Sequence, residues 1–301
     1  MKKIIVGIVL GIIVTFTLLL SCYIVFGLTT SLSRNTFIDE YEYENHDEYL
    51  IGNAEIYKPI ANIDIDWITG NITIKLTDDK FLTIQEETKE ELESDFKLRY
   101  MLEDSTLYIK YSKSDLKDID LPVKNLIINV PREYFFDEID IDSVSSFITV
   151  SGISVKNFEC NTVSGRIQLS ESNITHSFVV ESTSGNVDAI NLDYLDRVDI
   201  STISGNINIK AKMINKAEFN TTGGNVYINV EKEFAELDFE TISGNLELTL
   251  PENFSAVVTF DSVSGDFSTN HPSKISGEKY IFGEGDNRYK LESIYGDVII
   301  K

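Results

Sequence analysis

From about residue 59 onward, apolar and polar residues alternate with a period of two, and one recurring turn punctuates the alternation. Asn161-Thr-Val-Ser-Gly165-Arg-Ile-Gln-Leu169 returns as Glu181-Ser-Thr-Ser-Gly185-Asn-Val-Asp-Ala189 and as Ser201-Thr-Ile-Ser-Gly205-Asn-Ile-Asn-Ile209. Further copies centre on Gly224, Gly244 and Gly265, and Asp142-Ser-Val-Ser-Ser146 is the same unit with serine for glycine. Successive steps from Ser146 to Gly265 are 19, 20, 20, 19, 20 and 21 residues. Outlying copies centre on Gly70 and Gly296. A fixed period of this size marks a repeat architecture.

Two and four residues after the glycine stand apolar pairs such as Ile167/Leu169, Ile207/Ile209 and Leu246/Leu248. Seven and five residues before it stand Phe158/Cys160, Phe178/Val180, Val198/Ile200 and Leu237/Phe239. Alternation on both sides predicts two short strands per unit, each with one buried face. The turn glycines, Gly70, Gly165, Gly185, Gly205, Gly224, Gly244, Gly265 and Gly296, are expected to supply a positive φ. Three residues earlier stands a hydroxyl: Ser143, Thr162, Ser182, Thr202, Thr221, Thr241, Ser262 and Ser293, with Trp67 in the first copy. Repeated once per coil, these predict a stacked, hydrogen-bonded hydroxyl ladder with an asparagine ladder beside it.

Hairpin sandwiches show turns every 8–12 residues or so. One strong turn about every twenty residues instead predicts an all-β solenoid, a β-helix-like stack of roughly twenty-residue coils. An unrelated sandwich is the competing fold. Residues 81–134 break the period, with a charged, helix-like insertion from Glu86 to Asp95 and strand-like runs at Leu107–Tyr111 and Leu126–Val130. Residues 273–288 read as a loop or hairpin, after which the last unit should cap the stack.

Ahead of the repeats, residues 4–28 carry no charge and follow Lys2 and Lys3. Such a run is long enough, as a helix, to cross roughly 30 Å of hydrocarbon, and the lysines favour a cytoplasmic tip at residues 1–3. The expected organisation is one N-terminal transmembrane helix at 4–28, an acidic, tyrosine-rich linker at 29–58, and an extracytoplasmic repeat domain at 59–301. A cleaved signal peptide, or a lipoprotein signal ending at Cys22, is the competing address.

Composition narrows the chemistry. With 26 Lys+Arg against 49 Asp+Glu, the formal charge is −23, which argues against nucleic-acid binding. The two cysteines, Cys22 and Cys160, offer no disulfide framework, and Cys160 reads as a small core residue. His46, His176 and His271 are scattered, without a partner at metal-ligand spacing. No Ser-His-Asp or Cys-His pattern, phosphate loop or zinc motif is present, so no catalytic residue, cofactor or metal is expected. One outward column is acidic: Asp66, Asp142, Asn161, Glu181, Ser201, Asn220, Glu240, Asp261 and Glu292. It reads as a solvated face in preference to a Ca²⁺ site, which needs six to eight or so oxygens.

The runs Leu126-Ile-Ile-Asn-Val-Pro131, Phe136-Asp-Glu-Ile-Asp-Ile-Asp-Ser-Val-Ser145, Leu248-Thr-Leu-Pro-Glu-Asn-Phe254 and Gly283-Glu-Gly-Asp-Asn287 resemble the β-strand-repeat family of adhesin-like proteins of unknown function, which includes the LiaG-like cell-envelope proteins. The resemblance spans residues 59–301. It implies a β-solenoid in a cell-envelope setting, sometimes near envelope-stress genes, and no known ligand. The expected function is that of a membrane-anchored scaffold or interaction module with a protein or cell-wall partner. The alternatives are an adhesin for external surfaces or glycans and a polysaccharide-active β-helix enzyme.

Overall fold

The computed structural model describes residues 42–116 and 121–301. The expected membrane helix and cytoplasmic tip lie outside them. Among the described residues, no helix is long and apolar enough to cross a membrane.

The described chain is all-β, with two short 3-10 turns as its only helical elements. The repeats form a parallel stack, each coil adding one strand before the turn and one after it. Asn62–Thr77 pairs with Phe136–Ser151, which pairs with Ser154–Ser170. Asn173–Ser182, Asn186–Thr202 and Ile207–Thr221 continue the parallel ladder, with register shifts between Ile174 and Ser177 and between Ala189 and Leu192. The expected inward residues close the core: Phe158, Cys160, Phe178, Val180, Ile200, Phe219, Leu237 and Phe239 are buried, as are Ile167, Leu169, Ile207, Ile209, Leu246 and Leu248. Complete burial of an aliphatic or phenyl side chain contributes about 1.5–3 kcal/mol, and stacking repeats that gain once per coil.

At each end, coil order departs from sequence order. Thr106–Lys110 and Asn125–Pro131 lie against the two halves of Asn62–Thr77, so the stretch that breaks the period is itself a coil, placed outside the first one. At the other end Asn287–Ser293 pairs with Glu236–Thr241 on one side and Ala256–Ser262 on the other. The last unit in sequence therefore does not cap the stack. It is inserted between the Gly244 and Gly265 coils. Each coil presents nearly the same pair of edges, so periodicity alone cannot specify which coil neighbours which.

The helix-like insertion is also corrected. Glu86 ends up in the strand Leu82–Glu87, and the segment beyond it holds only the 3-10 turn Ser94–Phe96. Two of its charges enter ion pairs, Glu86 with Lys124 and Asp95 with Lys113. Residues 42–58, read as solvated spacer, are packed on the fold: Leu50–Ile51 pairs with Arg99–Glu103, and Ala54–Ile56 with Leu82–Glu87. Antiparallel strands thus cover the N-terminal end of the stack. The hairpin of Lys274–Ser276 and Lys279–Phe282 covers Ala256–Ser262 at the other.

Candidate functional site

The turn column is the most regular feature of the molecule. From Gly185 onward the glycine of each turn faces the glycine of a neighbouring coil, while Gly165 faces Ser146 and Gly70 faces Lys124, and the physical reason differs from the expected one. Among the turn glycines, only Gly70 (φ 104°) and Gly165 (φ 132°) have left-handed backbone. At Gly205, Gly224, Gly244, Gly265 and Gly296 a Cβ would instead overlap the carbonyl oxygen of the neighbouring coil's glycine. Glycine is required there because backbone passes against backbone.

The hydroxyls do stand in one column: Ser143, Thr162, Ser182, Thr202, Thr221, Thr241, Ser293 and then Ser262 are consecutive register partners. They do not bond to one another from coil to coil. Six of them accept the N–H of the glycine three residues on, as Gly185 to Ser182 at 2.7 Å, Gly205 to Thr202 at 2.9 Å, Gly244 to Thr241 at 2.8 Å and Gly296 to Ser293 at 2.6 Å. Burial away from water leaves that N–H no other partner, which explains the hydroxyl. Thr162, by contrast, donates to the Ser164 carbonyl at 3.0 Å. Ser143 bonds Ser146 instead, because serine replaces glycine in that coil. The ladder that does run between coils is the asparagine one. Asn186 Oδ1 accepts the N–H of Asn206 at 2.9 Å, Asn206 that of Asn225 at 2.9 Å, and Asn225 that of Asn245 at 3.0 Å. Asn245 and Asp297 carry it on to Asp266. These residues build the corner and leave no group over for chemistry.

The acidic column is where side chains of functional character converge. Register places Asp64 beside Asp140 and Asp66 beside Asp142, then Asp140 beside Glu159 and Asp142 beside Asn161. Asn161 donates to Asp142 at 3.1 Å. Burial, with the charges of Asp142 and Glu159, pushes Asp140 up to about 8. Burial and Asp66 push Asp142 up to about 7. Among the described residues, no cation pairs with Glu138, Asp140, Asp142 or Glu159. Further along the same wall the acids are compensated: Arg197 pairs with Asp199, Arg288 with Glu236, and Lys290 with Glu240 and Glu292. Among the described residues, no group of three or more His, Cys, Asp or Glu has metal-binding geometry. Cys160 is free and buried, its thiol pushed well up by that burial.

Two lysines at the N-terminal end escaped sequence reasoning. Lys124 occupies the turn-glycine position of the out-of-order coil, so its backbone lies where a Cβ on Gly70 would fall. Its ammonium is fully buried, pairs with Glu86, and is received by the carbonyls of Phe96 and Tyr111. It also lies 4.4 Å from the Tyr111 ring and 5.1 Å from that of Trp67. Trp67 replaces the column hydroxyl here because its Nε1 donates to the Lys124 carbonyl at 3.2 Å. Lys110, directly across from Asp66, bonds Asp64 at 2.9 Å and contacts Asp66 more closely still. The continuing alternation Leu107, Ile109, Tyr111 was the available signal that a further coil was present.

Residues 60–301 match the Toastrack DUF4097 family. No curated protein matches the chain. Among solved structures, a candidate cell adhesion protein from Clostridium sporogenes is similar at 15% identity, over 84% of this chain and 99% of that one, with a TM-score of 0.30. A candidate adhesin from Bacteroides fragilis is similar at 14% identity, over 84% and 97% of the two chains, with a TM-score of 0.40. The β-repeat resemblance read from the sequence is borne out, and the chain belongs to the Toastrack DUF4097 family.

Proposed function

We propose that this protein is a membrane-anchored, non-enzymatic interaction module of the cell envelope. Its contact surface is the acid block Glu138, Asp140, Asp142 and Glu159, which takes a lysine- or arginine-rich segment of an envelope protein. The uncompensated charge of that block carries the reading. Burial, reinforced by the neighbouring carboxylates, pushes two of them toward neutrality near pH 7. A cationic segment would relieve the repulsion and gain charge-assisted hydrogen bonds. The block stands on paired parallel strands over a buried core, which favours a preorganised surface.

Cross-linking in intact envelopes tests the proposal, comparing the native protein with a Glu138→Lys/Glu159→Lys variant. Support is a defined membrane or envelope partner whose cross-links map to the acid block and vanish in the variant and at high salt. Cross-links that map elsewhere, or survive charge reversal, overturn it. Binding of the protein to foreign cells or glycans with no envelope partner would establish the adhesin reading instead.

A further inference from the structure

The Lys110 cluster has the makings of a covalent cross-link. Lys110 on Thr106–Lys110 and Asp66 on Asn62–Thr77 are direct register partners on adjacent parallel strands. The lysine side chain is 9% exposed, and its Nζ touches an Asp66 carboxylate oxygen while bonding Asp64 Oδ1 at 2.9 Å. Amine, carboxyl and a second carboxylate therefore lie within bonding reach of one another. The Tyr43 and Tyr49 rings, 4.9 Å apart, pack close enough for both phenols to feel the charges of Lys110 and Asp66. The Tyr108 ring lies 5.9 Å from the ammonium. Three aromatic side chains thus flank the cluster; the lysine is nearly buried, while the Asp64 and Asp66 side chains are 34% and 31% exposed.

We propose that Lys110 and Asp66 condense without an enzyme to a side-chain amide, with Asp64 as the proton carrier. The balance is simple. Asp66 takes one ammonium proton within the ion pair, giving a neutral amine beside a neutral carboxylic acid. Nζ then attacks the Asp66 carbonyl carbon, forming the C–N bond, and Asp64 accepts the second Nζ proton. Asp64 returns that proton to the departing hydroxyl, the C–O bond breaks, and water leaves. No oxidant or energy source is consumed.

Burial favours the neutral pair this step needs: it pushes Asp66 above the ordinary carboxylate range. Burial alone would also lower Lys110, but Asp66 and Asp64 more than reverse that and hold the ammonium charged. Proton transfer inside the pair is therefore an unfavourable pre-equilibrium, and proximity is what drives the bond-forming step that follows. Fixed partners in contact reach effective concentrations far above any in solution, on the order of 10⁵ M or more. The bond would tie the out-of-order coil to the first repeat, where the backbone between them makes its excursion through residues 78–105.

Intact and peptide mass measurement on the purified full chain decides the matter, because it reads covalent structure even if a variant misfolds. The expected result is a chain one water lighter than the same chain carrying Lys110→Arg, after correction for the substitution. Trypsin should then fail to cut after residue 110 and yield one branched peptide joining the Lys110 and Asp66 segments. Asp66→Asn should give the same branched product by losing ammonia. Wild-type protein at full mass with free Lys110 and Asp66 peptides overturns the proposal. So does a missing water that persists in Lys110→Arg.

Discussion

Alanine in place of Gly224 should destabilise the protein by about 3 kcal/mol, while alanine at Gly223, one residue earlier, should be close to neutral. Neither glycine has left-handed backbone. A Cβ on Gly224 would overlap the Gly205 carbonyl of the next coil, and backbone, unlike a side-chain end, cannot swing aside. Relief requires the two coils to part at the corner. Three bonds close there: Gly224 N–H to Thr221 Oγ1 at 2.9 Å, Asn225 N–H to Asn206 Oδ1 at 2.9 Å, and Gly223 N–H to Ile203 O at 2.9 Å. At about 1 kcal/mol net for each, their loss sums to about 3 kcal/mol. At Gly223 the nearest atom to a new Cβ is Ser243 Oγ at 3.6 Å, an ordinary contact. Ser184, Ser204 and Ser243 already fill that position in other coils.

Thermal unfolding followed by circular dichroism separates the two variants, since about 3 kcal/mol should lower Tm by about 6–12 °C in a domain of this size. Gly224→Asn discriminates between causes. Asparagine tolerates left-handed backbone, so it would rescue a φ requirement, whereas a steric requirement makes it as damaging as alanine. Near-native stability of Gly224→Asn, or equal losses at Gly223 and Gly224, would refute the close-approach argument.

Thr202→Val should cost about 1–3 kcal/mol by stranding the buried Gly205 N–H, whereas Thr202→Ser should cost much less; denaturant melts of the pair check this. Asp140 and Asp142 bind protons more tightly folded than unfolded, so stability should increase as pH falls from about 8 towards the ordinary carboxylate range. Asp140→Asn should flatten that slope, and a Tm that climbs with pH in the native protein through this window would contradict it. Lys124→Met should cost about 3–5 kcal/mol by leaving Glu86 buried without its cation, and adding Glu86→Gln should recover part of the loss. Unfolding of the single and double variants measures both.

The repeat, its two strands and its core positions were legible because burial imposes the same two-residue alternation on every coil. The corner hydroxyls and asparagines were legible for the same reason, but their bonding was not. A column of Thr and Ser is compatible with bonds along the stack or within each turn, and only the path of the Gly205 or Gly244 backbone decides. Coil order was hidden for a related reason. Ile63, Ile65 and Trp67 match Leu107, Ile109 and Tyr111 as well as they match Ile139 and Ile141, and the fold uses both matches, one on each side. Lys124 broke the turn pattern outright, so only the alternation Leu107, Ile109, Tyr111 marked its segment as a coil. The Lys110–Asp66 pair followed only from that coil's register.

Placing the final unit inside the stack has a consequence for how the molecule can meet a partner. A solenoid that ends on a bare parallel edge offers a template for another copy or a foreign strand. Here the pre-turn wall ends under antiparallel strands on both sides: Arg99–Glu103 over Thr106–Lys110, and Lys279–Phe282 over Ala256–Ser262. The exposed strands beyond them, Leu50–Ile51 and Lys274–Ser276, are two and three residues long, too short to recruit a stable neighbour. Growth along the axis is blocked on that wall, which leaves its outward face as the surface for the recognition proposed above. Along that face the charge is not uniform: arginine and lysine neutralise the acids in the C-terminal coils and leave Asp140, Asp142 and Glu159 uncompensated near the N-terminal end. A repeat that is uniform in its backbone is therefore asymmetric in its electrostatics, and under the function proposed above that asymmetry would give a cationic partner one place to bind.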